Sequence, residues 1–190
     1  MILSDRDLKR AICDGRLRFS PDLLDEQIGP ASIDLRLGCE FKIFRPGRYV
    51  AIDPKQGTIP LDYLESITRS REEAFVLHPN QFVLASTHES VRLADDLALR
   101  VEGKSTLARM GILVHAAGFV DPGYEGTLTL EITNNGPLVV YLWPGMYICQ
   151  VAAQQLSSSA ECPYNRRKHP LYMGDRGPTG PRTNNLFPLE

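Results

Sequence analysis

Hydrophobic and polar residues alternate along much of this chain with the period of a strand. Apolar residues occupy Ile33, Leu35 and Leu37, and later Phe41 and Ile43, with mostly polar residues between them. Such alternation is typical of strands that bury one face. Similar short runs predict further strands at 74–77, 82–87, 97–102, 127–133, 139–142 and 147–154. Because Pro, Gly and Asn separate these runs and no long helical segment lies between them, the pattern predicts a mainly β architecture.

Three other segments depart from this alternation. Ser4–Asp7 loosely matches a capping box, and apolar residues at 8, 11 and 12 follow at helical spacing until Gly15, which predicts a short helix. The segment 57–71 is polar with weak periodicity, which predicts a loop or a helical insertion. From residue 163 onward the apolar content is too low for independent packing, so we expect a tail that is either loose or a lid.

The bulk composition predicts one globular domain. A length of 190 residues suits a single core, so we treat 1–190 as one domain with 163–190 as its tail. The net charge of -2 gives the chain no overall positive potential that would attract nucleic acid or acidic membranes, so neither is an expected partner. The chain also lacks an apolar run of the roughly 18 residues that span a membrane and a secretory leader, which predicts a cytoplasmic protein.

Cysteine and histidine spacing gives no metal signature. The cysteines at 13, 39, 149 and 162 contain no Cys-x-x-Cys pair, and we expect reduced, mostly buried thiols. The histidines at 78, 88, 115 and 169 are scattered and lack the spacing of zinc enzymes. A zinc site is therefore not expected.

Groups that suit a polyanion concentrate between residues 101 and 131. The segment 101–111 combines a lysine, two small hydroxyls and an arginine with glycines, and Asp121–Gly126 and then Glu131 follow. Free backbone N–H groups, hydroxyls and guanidinium groups bind phosphate oxygens. The segment predicts a phosphate cradle beside an acid, although a polar turn that caps a short helix is an equally good interpretation of Gly-Lys-Ser alone.

The stretch 105–111 has the spacing of one or two helical turns. Ser105 and Arg109, four residues apart, would share one face, while Leu107 and Met110 pack inward. The stretch is not a Walker loop, because no glycine stands five residues before Gly103 and no strand-to-long-helix context surrounds it.

Two carboxylates complete the pattern. Leu128 and Leu130 alternate with Thr129 and Glu131, which places the Glu131 carboxylate on the face opposite the leucines. An isolated glutamate on a strand usually just faces solvent. Glu131 is a candidate functional residue only because it occurs together with the other motifs. Asp121 is either the first residue of a β-turn or a functional acid, and the two roles are compatible.

Taken together, these motifs resemble one known family, and they run in its order nearly from end to end. The chain is similar to the dCTP deaminases of the dUTPase-like superfamily. The segments that carry the resemblance are Met1–Leu8, Pro30–Gly38, Gly103–Gly111, Ala117–Gly126, Leu128–Glu131, Pro144–Gln150, Pro163–Tyr164 and Arg176–Thr179.

The resemblance implies a mainly β, dUTPase-like distorted β-barrel (β-clip) with short helices. It also implies a homotrimer with active sites between subunits and a C-terminal tail that folds over the nucleotide. The implied reaction is the hydrolytic deamination of dCTP to dUTP and ammonia in pyrimidine deoxynucleotide synthesis. Mg²⁺ would bind together with the triphosphate, without a metal site of the protein's own and without zinc.

The resemblance also assigns roles to single residues. Glu131 would be the general base that activates a water molecule against C4 of cytosine, and Ser105 and Arg109 would hold that water and offset developing charge. The substrate-binding residues would be Lys104, Thr106, Leu107, Ala108, Asp121, Thr129, Leu130, Gln150 and Tyr164.

Some positions depart from the family pattern. The stretch between His115 and Asp121 is one residue shorter and lacks the usual threonine, which leaves feedback inhibition by dTTP open. In the tail, Leu171 stands where a lysine is expected and Asp175 where a glutamine is expected. Losing one charge-assisted phosphate contact would weaken binding by about 1.5–3 kcal/mol, unless a basic neighbour substitutes, for which Lys168 and Arg176 are the candidates.

The reaction's end product stays open at this stage. The segment Ala117–Asp121 resembles that of dUTPases and of bifunctional deaminases, which hydrolyse dUTP further to dUMP and pyrophosphate. In that case Asp121 would also activate a water molecule against the α-phosphate. A plain dUTPase and a trimer that binds nucleotides without turnover are the remaining alternatives, since function belongs to the site rather than to the fold.

Overall fold

The computed structural model describes residues 1–45, 51–56, 61–114, 117–183 and 186. Short antiparallel strands dominate these residues. The helices are α1 (Asp5–Cys13) and α2 (Ser105–Arg109), and 3₁₀ turns cover Asp25–Gln27, Pro54–Gln56, Leu61–Tyr63 and Tyr164–Arg166. The strands are β1 (Leu17–Ser20), β2 (Ile33–Phe44), β3 (Leu64–Thr68), β4 (Phe75–Leu77), β5 (Phe82–Leu93), β6 (Leu97–Gly103), β7 (Ile112–Leu113), β8 (Phe119–Val120), β9 (Glu125–Asn134), β10 (Val140–Leu142) and β11 (Tyr147–Gln155).

One large antiparallel sheet forms the body of the molecule. Its successive neighbours are β7, β9, β5, β2, β11, β6 and β8, while β1 pairs with β5, β3 pairs with β2, and β4 with β10 makes a separate ribbon. The pairing register shifts between β2 and β5, between β5 and β9, and between β11 and β2. Such shifts are typical of β-bulges, which bend strands and increase their twist. The long strands also pair with different neighbours along their length, as β2 does with β11, β5 and β3. The sheet curls into a distorted barrel.

The core follows from the alternation in the sequence. Ile33, Leu35 and Leu37 of β2 are at most 1% exposed, and Phe41 of the same strand stacks on Phe75 with ring centroids 4.5 Å apart. Helix α1 adds Leu8 and Ala11 to this core. The predicted mainly β architecture, the first helix and the strands predicted from alternation are confirmed.

Strand β5 is longer than the alternation predicted. The prediction ended at residue 87, where polar residues begin, yet the strand continues to Leu93. Its Glu89 is fully buried, because the side chain forms an ion pair with Arg36 of β2 over 2.6 Å. A buried ion pair cannot be distinguished from a solvent-facing polar residue in the sequence alone. The short strands β1, β7 and β8 were not predicted either.

The prediction of a loop or helical insertion for 57–71 is wrong at Leu64–Thr68, where the structure has strand β3. Residues 57–60 lie outside the described part, Leu61–Tyr63 form a 3₁₀ turn, and β3 pairs with Glu40–Phe44 of β2. The side chains of β3 are exposed or only half-buried. A strand of this kind is held by edge pairing and leaves little hydrophobic periodicity to detect.

Three smaller predictions also need correction. Met110 does not pack inward but is 47% exposed, because α2 ends at Arg109 and Met110 is already its cap residue. All four cysteines are free as expected, but only Cys149 is buried. Ser4 forms no capping hydrogen bond with the backbone of α1, since its hydroxyl donates to the Asp7 carboxylate at 3.2 Å.

None of the helices in the described residues has the length and apolar content to cross a membrane.

Candidate active site

Strand β9 presents two polar side chains to a pocket. Leu128 and Leu130 are 6% and 0% exposed, whereas Thr129 and Glu131 between and after them are half-buried. Since successive side chains of a strand point to opposite faces, the predicted separation of leucines from the carboxylate is confirmed.

The pocket has a volume of about 540 Å³. Its walls come from β9 and the turn that precedes it, from residues of β2, β5, β6 and β8, and from the tail. The polar side chains that line it are Asp121, Tyr124, Thr129, Glu131, Tyr164, Arg167, His169, Tyr172, Asp175 and Thr179.

Asp121 opens a tight turn at the pocket's edge. The Tyr124 N–H donates to the Asp121 carbonyl at 3.2 Å, and Gly123 at the third position has a φ of +77°. Only glycine adopts this conformation readily, and a side chain there would also approach Pro163 to 2.9 Å. The turn interpretation of Asp121 is confirmed. Its carboxylate stays accessible, with 41% of the side chain exposed.

The tail is docked along β9 as far as it is described. The Thr127 N–H donates to the carbonyl of Asp175 at 3.0 Å, and the Thr179 N–H donates to the Thr129 hydroxyl at 3.3 Å. Tyr164 ties the start of the tail down, since its N–H donates to the Pro122 carbonyl at 2.7 Å. These contacts make the tail one wall of the pocket.

The Tyr124 phenol lies near the carboxylate of Asp175, which belongs to the tail. Burial raises the pKa of Tyr124 well above its usual range, and the negative charge of the nearby Asp175 carboxylate raises it further. The phenol therefore stays protonated and donates to the Thr127 carbonyl at 2.8 Å. One Asp175 oxygen accepts a hydrogen bond from Arg182 at 3.0 Å. The other oxygen is buried and has no hydrogen-bond partner among the described residues.

A second polar region surrounds the start of α2. The Lys104 ammonium lies 2.6 Å from the Asp34 carboxylate and 5.7 Å from the centre of the Tyr147 ring. Gln150 of β11 accepts a hydrogen bond from the Ser32 hydroxyl at 3.2 Å. The predicted helical turn at 105–111 is confirmed, and its polar side chains are exposed on the surface of the chain.

In a single copy of the chain, the predicted site residues thus fall into two groups. The pocket group lines the pocket and consists of Asp121, Thr129, Glu131 and Tyr164. The α2 group does not line it and consists of Lys104, Ser105, Thr106, Ala108, Arg109 and Gln150. The side chains of Leu107 and Leu130 are 4% and 0% exposed, so only their backbone could contact a ligand.

Sequence reasoning missed other pocket residues. Arg167, His169, Tyr172 and Thr179 line the pocket, and Leu171 contributes apolar surface where a lysine was expected. The proposed substitutes for that lysine, Lys168 and Arg176, are not among the described residues that line it. The sequence offered the basic run 166–168 and the tail motif 176–179, but neither says which of its members faces a cavity. His115 lies outside the described residues.

The described residues contain no group of three or more His, Cys, Asp or Glu side chains that could hold a metal ion.

Comparisons with known proteins place this chain among nucleotide enzymes. A family model described as "dCTP deaminase-like" matches residues 2–156. A "dCTP deaminase, dUMP-forming" of Nocardia farcinica is 50% identical over 100% of this chain and 94% of its own length. Proteins of the same description from Streptomyces coelicolor and Methanobrevibacter smithii are 46% and 43% identical, over 96% and 100% of this chain and 95% and 98% of their own lengths.

A solved structure supports the fold. The 2'-deoxycytidine 5'-triphosphate deaminase of Agrobacterium tumefaciens superposes with a TM-score of 0.64 at 23% identity, and the match covers 81% of this chain and 47% of that longer chain. At this identity the likeness concerns the fold alone, which this chain shares with that deaminase.

Proposed function

Because this chain belongs to the dCTP deaminase-like family, we propose that it is an enzyme that removes the 4-amino group of dCTP by hydrolysis. The observation that carries the proposal is the position of Glu131, whose side chain lines a pocket of about 540 Å³ together with Asp121, Thr129 and Tyr164. A carboxylate at a pocket wall is a suitable general base for a bound water molecule.

Glu131 transfers the protons in the proposed reaction. It takes a proton from water, the resulting hydroxide adds to C4 of cytosine, and Glu131 passes the proton to N3. It then takes the proton of the new C4 hydroxyl and gives it to the amino group. The C4–N bond breaks, ammonia leaves and a carbonyl remains at C4. Positioned general acid–base catalysis of this kind contributes about 10²–10⁴-fold to a rate.

A second copy of the chain completes the site in this proposal. Ser105 and Arg109 are to hold the attacking water and offset developing charge, yet neither lines the pocket of its own copy. The large apolar side chains of Leu113 on β7 and Phe119 on β8 are 52% and 60% exposed. Exposed apolar surface next to both groups is what a neighbouring subunit would cover. A homotrimer, as the family resemblance implies, joins the α2 group of one copy to the pocket group of the next.

The remaining site residues bind the nucleotide. The backbone and side chains of Lys104–Arg109 and the Tyr164 hydroxyl contact phosphates, and Asp121 contacts the deoxyribose. Thr129 and the backbone of Leu130 recognise the base, and Gln150 supports the α2 group. Mg²⁺ bound to the triphosphate of the substrate would neutralise part of its charge.

We further propose dUMP and pyrophosphate as the end products. The supporting observation is that near-full-length relatives at 43–50% identity are described as dUMP-forming. The accessible Asp121 carboxylate would activate a second water molecule against the α-phosphate, and the bond between the α- and β-phosphates would break. Release of dUTP after deamination is the alternative.

One time course distinguishes these possibilities. The pure protein is incubated with dCTP and Mg²⁺, and ammonia, pyrophosphate and nucleotides are measured by chromatography. We expect ammonia and pyrophosphate in equal amounts with dUMP. Accumulating dUTP would indicate a deaminase alone, turnover of added dUTP without turnover of dCTP would indicate a dUTPase, and dCTP binding without products would indicate a non-catalytic trimer.

The decisive variant is E131Q, which removes the base but keeps the shape. We expect kcat for ammonia release to fall by about 10²–10⁴-fold while dCTP still binds. E125Q is the matched control, since Glu125 lies on the same strand but outside the pocket and is 53% exposed. Ammonia release by E131Q at the rate of E125Q would exclude the proposed mechanism.

A further inference from the structure

The charges around the pocket are unfavourable for a triphosphate. Among the described residues that line it, Asp121, Glu131 and Asp175 bring carboxyl groups, whereas Arg167 and His169 are the basic side chains. A cation on the same wall would therefore favour binding of a polyanion, in addition to the α2 group of a neighbouring copy and Mg²⁺. On the basis of the proposed function, we propose that Arg167 is a phosphate-binding residue of this chain, and that it exchanges its contact with Asp121 for a contact with the triphosphate.

The guanidinium of Arg167 is held in place for this exchange. It lies 3.6 Å from the Asp121 carboxylate and 5.8 Å from the centre of the Tyr164 ring. The Tyr164 ring is itself fixed, because its hydroxyl accepts a hydrogen bond from the Tyr172 N–H at 2.9 Å and the ring packs against Tyr124 with centroids 5.7 Å apart. A guanidinium stacked on a fixed ring loses little freedom when it binds an anion.

The contact with Asp121 is weak enough to be exchanged. The two side chains are 57% and 41% exposed, and ion pairs with such exposure contribute little because water screens them. A triphosphate offers several oxygens and more negative charge, and a guanidinium binds it through two parallel hydrogen bonds. Arg167 therefore gains by changing partner, and its departure leaves the Asp121 carboxylate available to the deoxyribose and to water.

The neighbouring Arg166 provides a matched control. It is 59% exposed and also forms an ion pair, but with Asp95, and it does not line the pocket. The variants R167Q and R166Q thus remove one exposed, ion-paired guanidinium each from adjacent positions of the tail. Only the first removes a group at the pocket wall.

The test is equilibrium binding of dCTP and of dCMP with Mg²⁺, measured by calorimetry on the full chain in the E131Q background so that substrate is not consumed. We expect R167Q to raise the Kd for dCTP by about 10–100-fold, the effect of one charge-assisted contact, and the Kd for dCMP by less than about threefold. R166Q should change the two constants equally or not at all, and R167K should recover part of the dCTP affinity.

The proposal is overturned if R167Q weakens dCTP binding no more than R166Q does, or if its loss is the same for dCTP and dCMP. Thermal unfolding of each variant shows whether the substitution has altered the fold. An R167Q variant with an unchanged midpoint and unchanged dCTP affinity also counts against the proposal. Ammonia release by the wild-type chain is measured alongside. If that release is absent while dCTP binds, the proposed function fails and the Kd comparison still decides the role of Arg167.

Discussion

At the scale of single residues, glutamates on two neighbouring strands serve different purposes. Glu89 of β5 is fully buried, and its carboxylate accepts hydrogen bonds from the Arg36 side chain at 2.6 Å, the Arg36 backbone at 2.9 Å and Gln27 at 3.1 Å. Glu131 of β9 lies at the pocket wall. A carboxylate with buried, fixed donors stabilises the fold, whereas one that faces a cavity can exchange protons with a bound molecule.

Removing the charge of Glu89 should destabilise the protein. In E89Q the Arg36 guanidinium, whose side chain is 15% exposed, would remain largely buried without a counter-charge. We expect the free energy of unfolding to fall by about 2–4 kcal/mol, as measured by denaturant unfolding at neutral pH.

E125Q again serves as the control for this prediction. Glu125 also pairs with an arginine, Arg92, over 3.6 Å, but the side chains are 53% and 60% exposed. We expect a change below about 0.5 kcal/mol, because exposed pairs contribute little. Equal effects of E89Q and E125Q would contradict a structural role for the buried pair.

At the scale of elements, a polar contact joins three segments at one end of the sheet. Arg16, directly before β1, contacts the Asp96 carboxylate between β5 and β6 and donates to Gln155 at the end of β11 over 2.5 Å. Burial alone would raise the pKa of Asp96, but hydrogen bonds from Gln155 and Arg16, together with the Arg16 charge, lower it overall. The ionised carboxylate is therefore favoured in the folded chain.

The lowered pKa of Asp96 predicts a pH dependence of stability. A carboxyl group with a lower pKa when folded adds stability above its ordinary pKa, and this contribution disappears as the pH falls through the folded pKa. We expect D96N to be less stable than the wild type at pH 7, and the difference in unfolding free energy to shrink below about pH 4.

Thermal and denaturant unfolding of D96N at several pH values checks this expectation. D14N, which changes an exposed aspartate paired with Arg10 over 3.7 Å, is the control and should follow the wild type throughout. A difference between D96N and wild type that persists unchanged into acid would show that packing, rather than ionisation, explains the effect.

At the scale of the whole molecule, the proposed mechanism requires two separate groups to act on one substrate. The pocket group and the α2 group lie apart in a single copy, and a cyclic arrangement would bring one copy's α2 to the next copy's pocket. Neither group would then suffice alone. In that arrangement activity would be a property of the assembly rather than of the chain.

Mixed assemblies test this arrangement. E131Q and R109A should each be inactive, because the first lacks the base and the second lacks the guanidinium. After co-expression, about one junction in four should combine a pocket group that keeps Glu131 with an α2 group that keeps Arg109. We therefore expect about a quarter of the ammonia release of the wild type. If size measurements confirm mixed oligomers and no activity returns, the two groups belong to the same copy.

Much of the fold was predictable from local patterns. The alternation in β2 and β9 and the helical spacing in α1 are short-range signals, and their burial follows them closely. The continuation of β5 through Glu89 and the strand β3 were missed, because a buried ion pair and an edge pairing depend on partners at least twenty residues away in the chain.

The sequence by itself determined the strands, the turn at Asp121, the carboxylate face of β9 and the family, because each depends on neighbouring residues or on motifs in a fixed order. Only the tertiary structure decided that Arg167 and His169 of the tail border the same pocket as Glu131, and that Ser105 and Arg109 do not. The physical reason is that a tail without its own hydrophobic periodicity takes its position from backbone hydrogen bonds to β9, and such bonds leave no trace in the pattern of side chains.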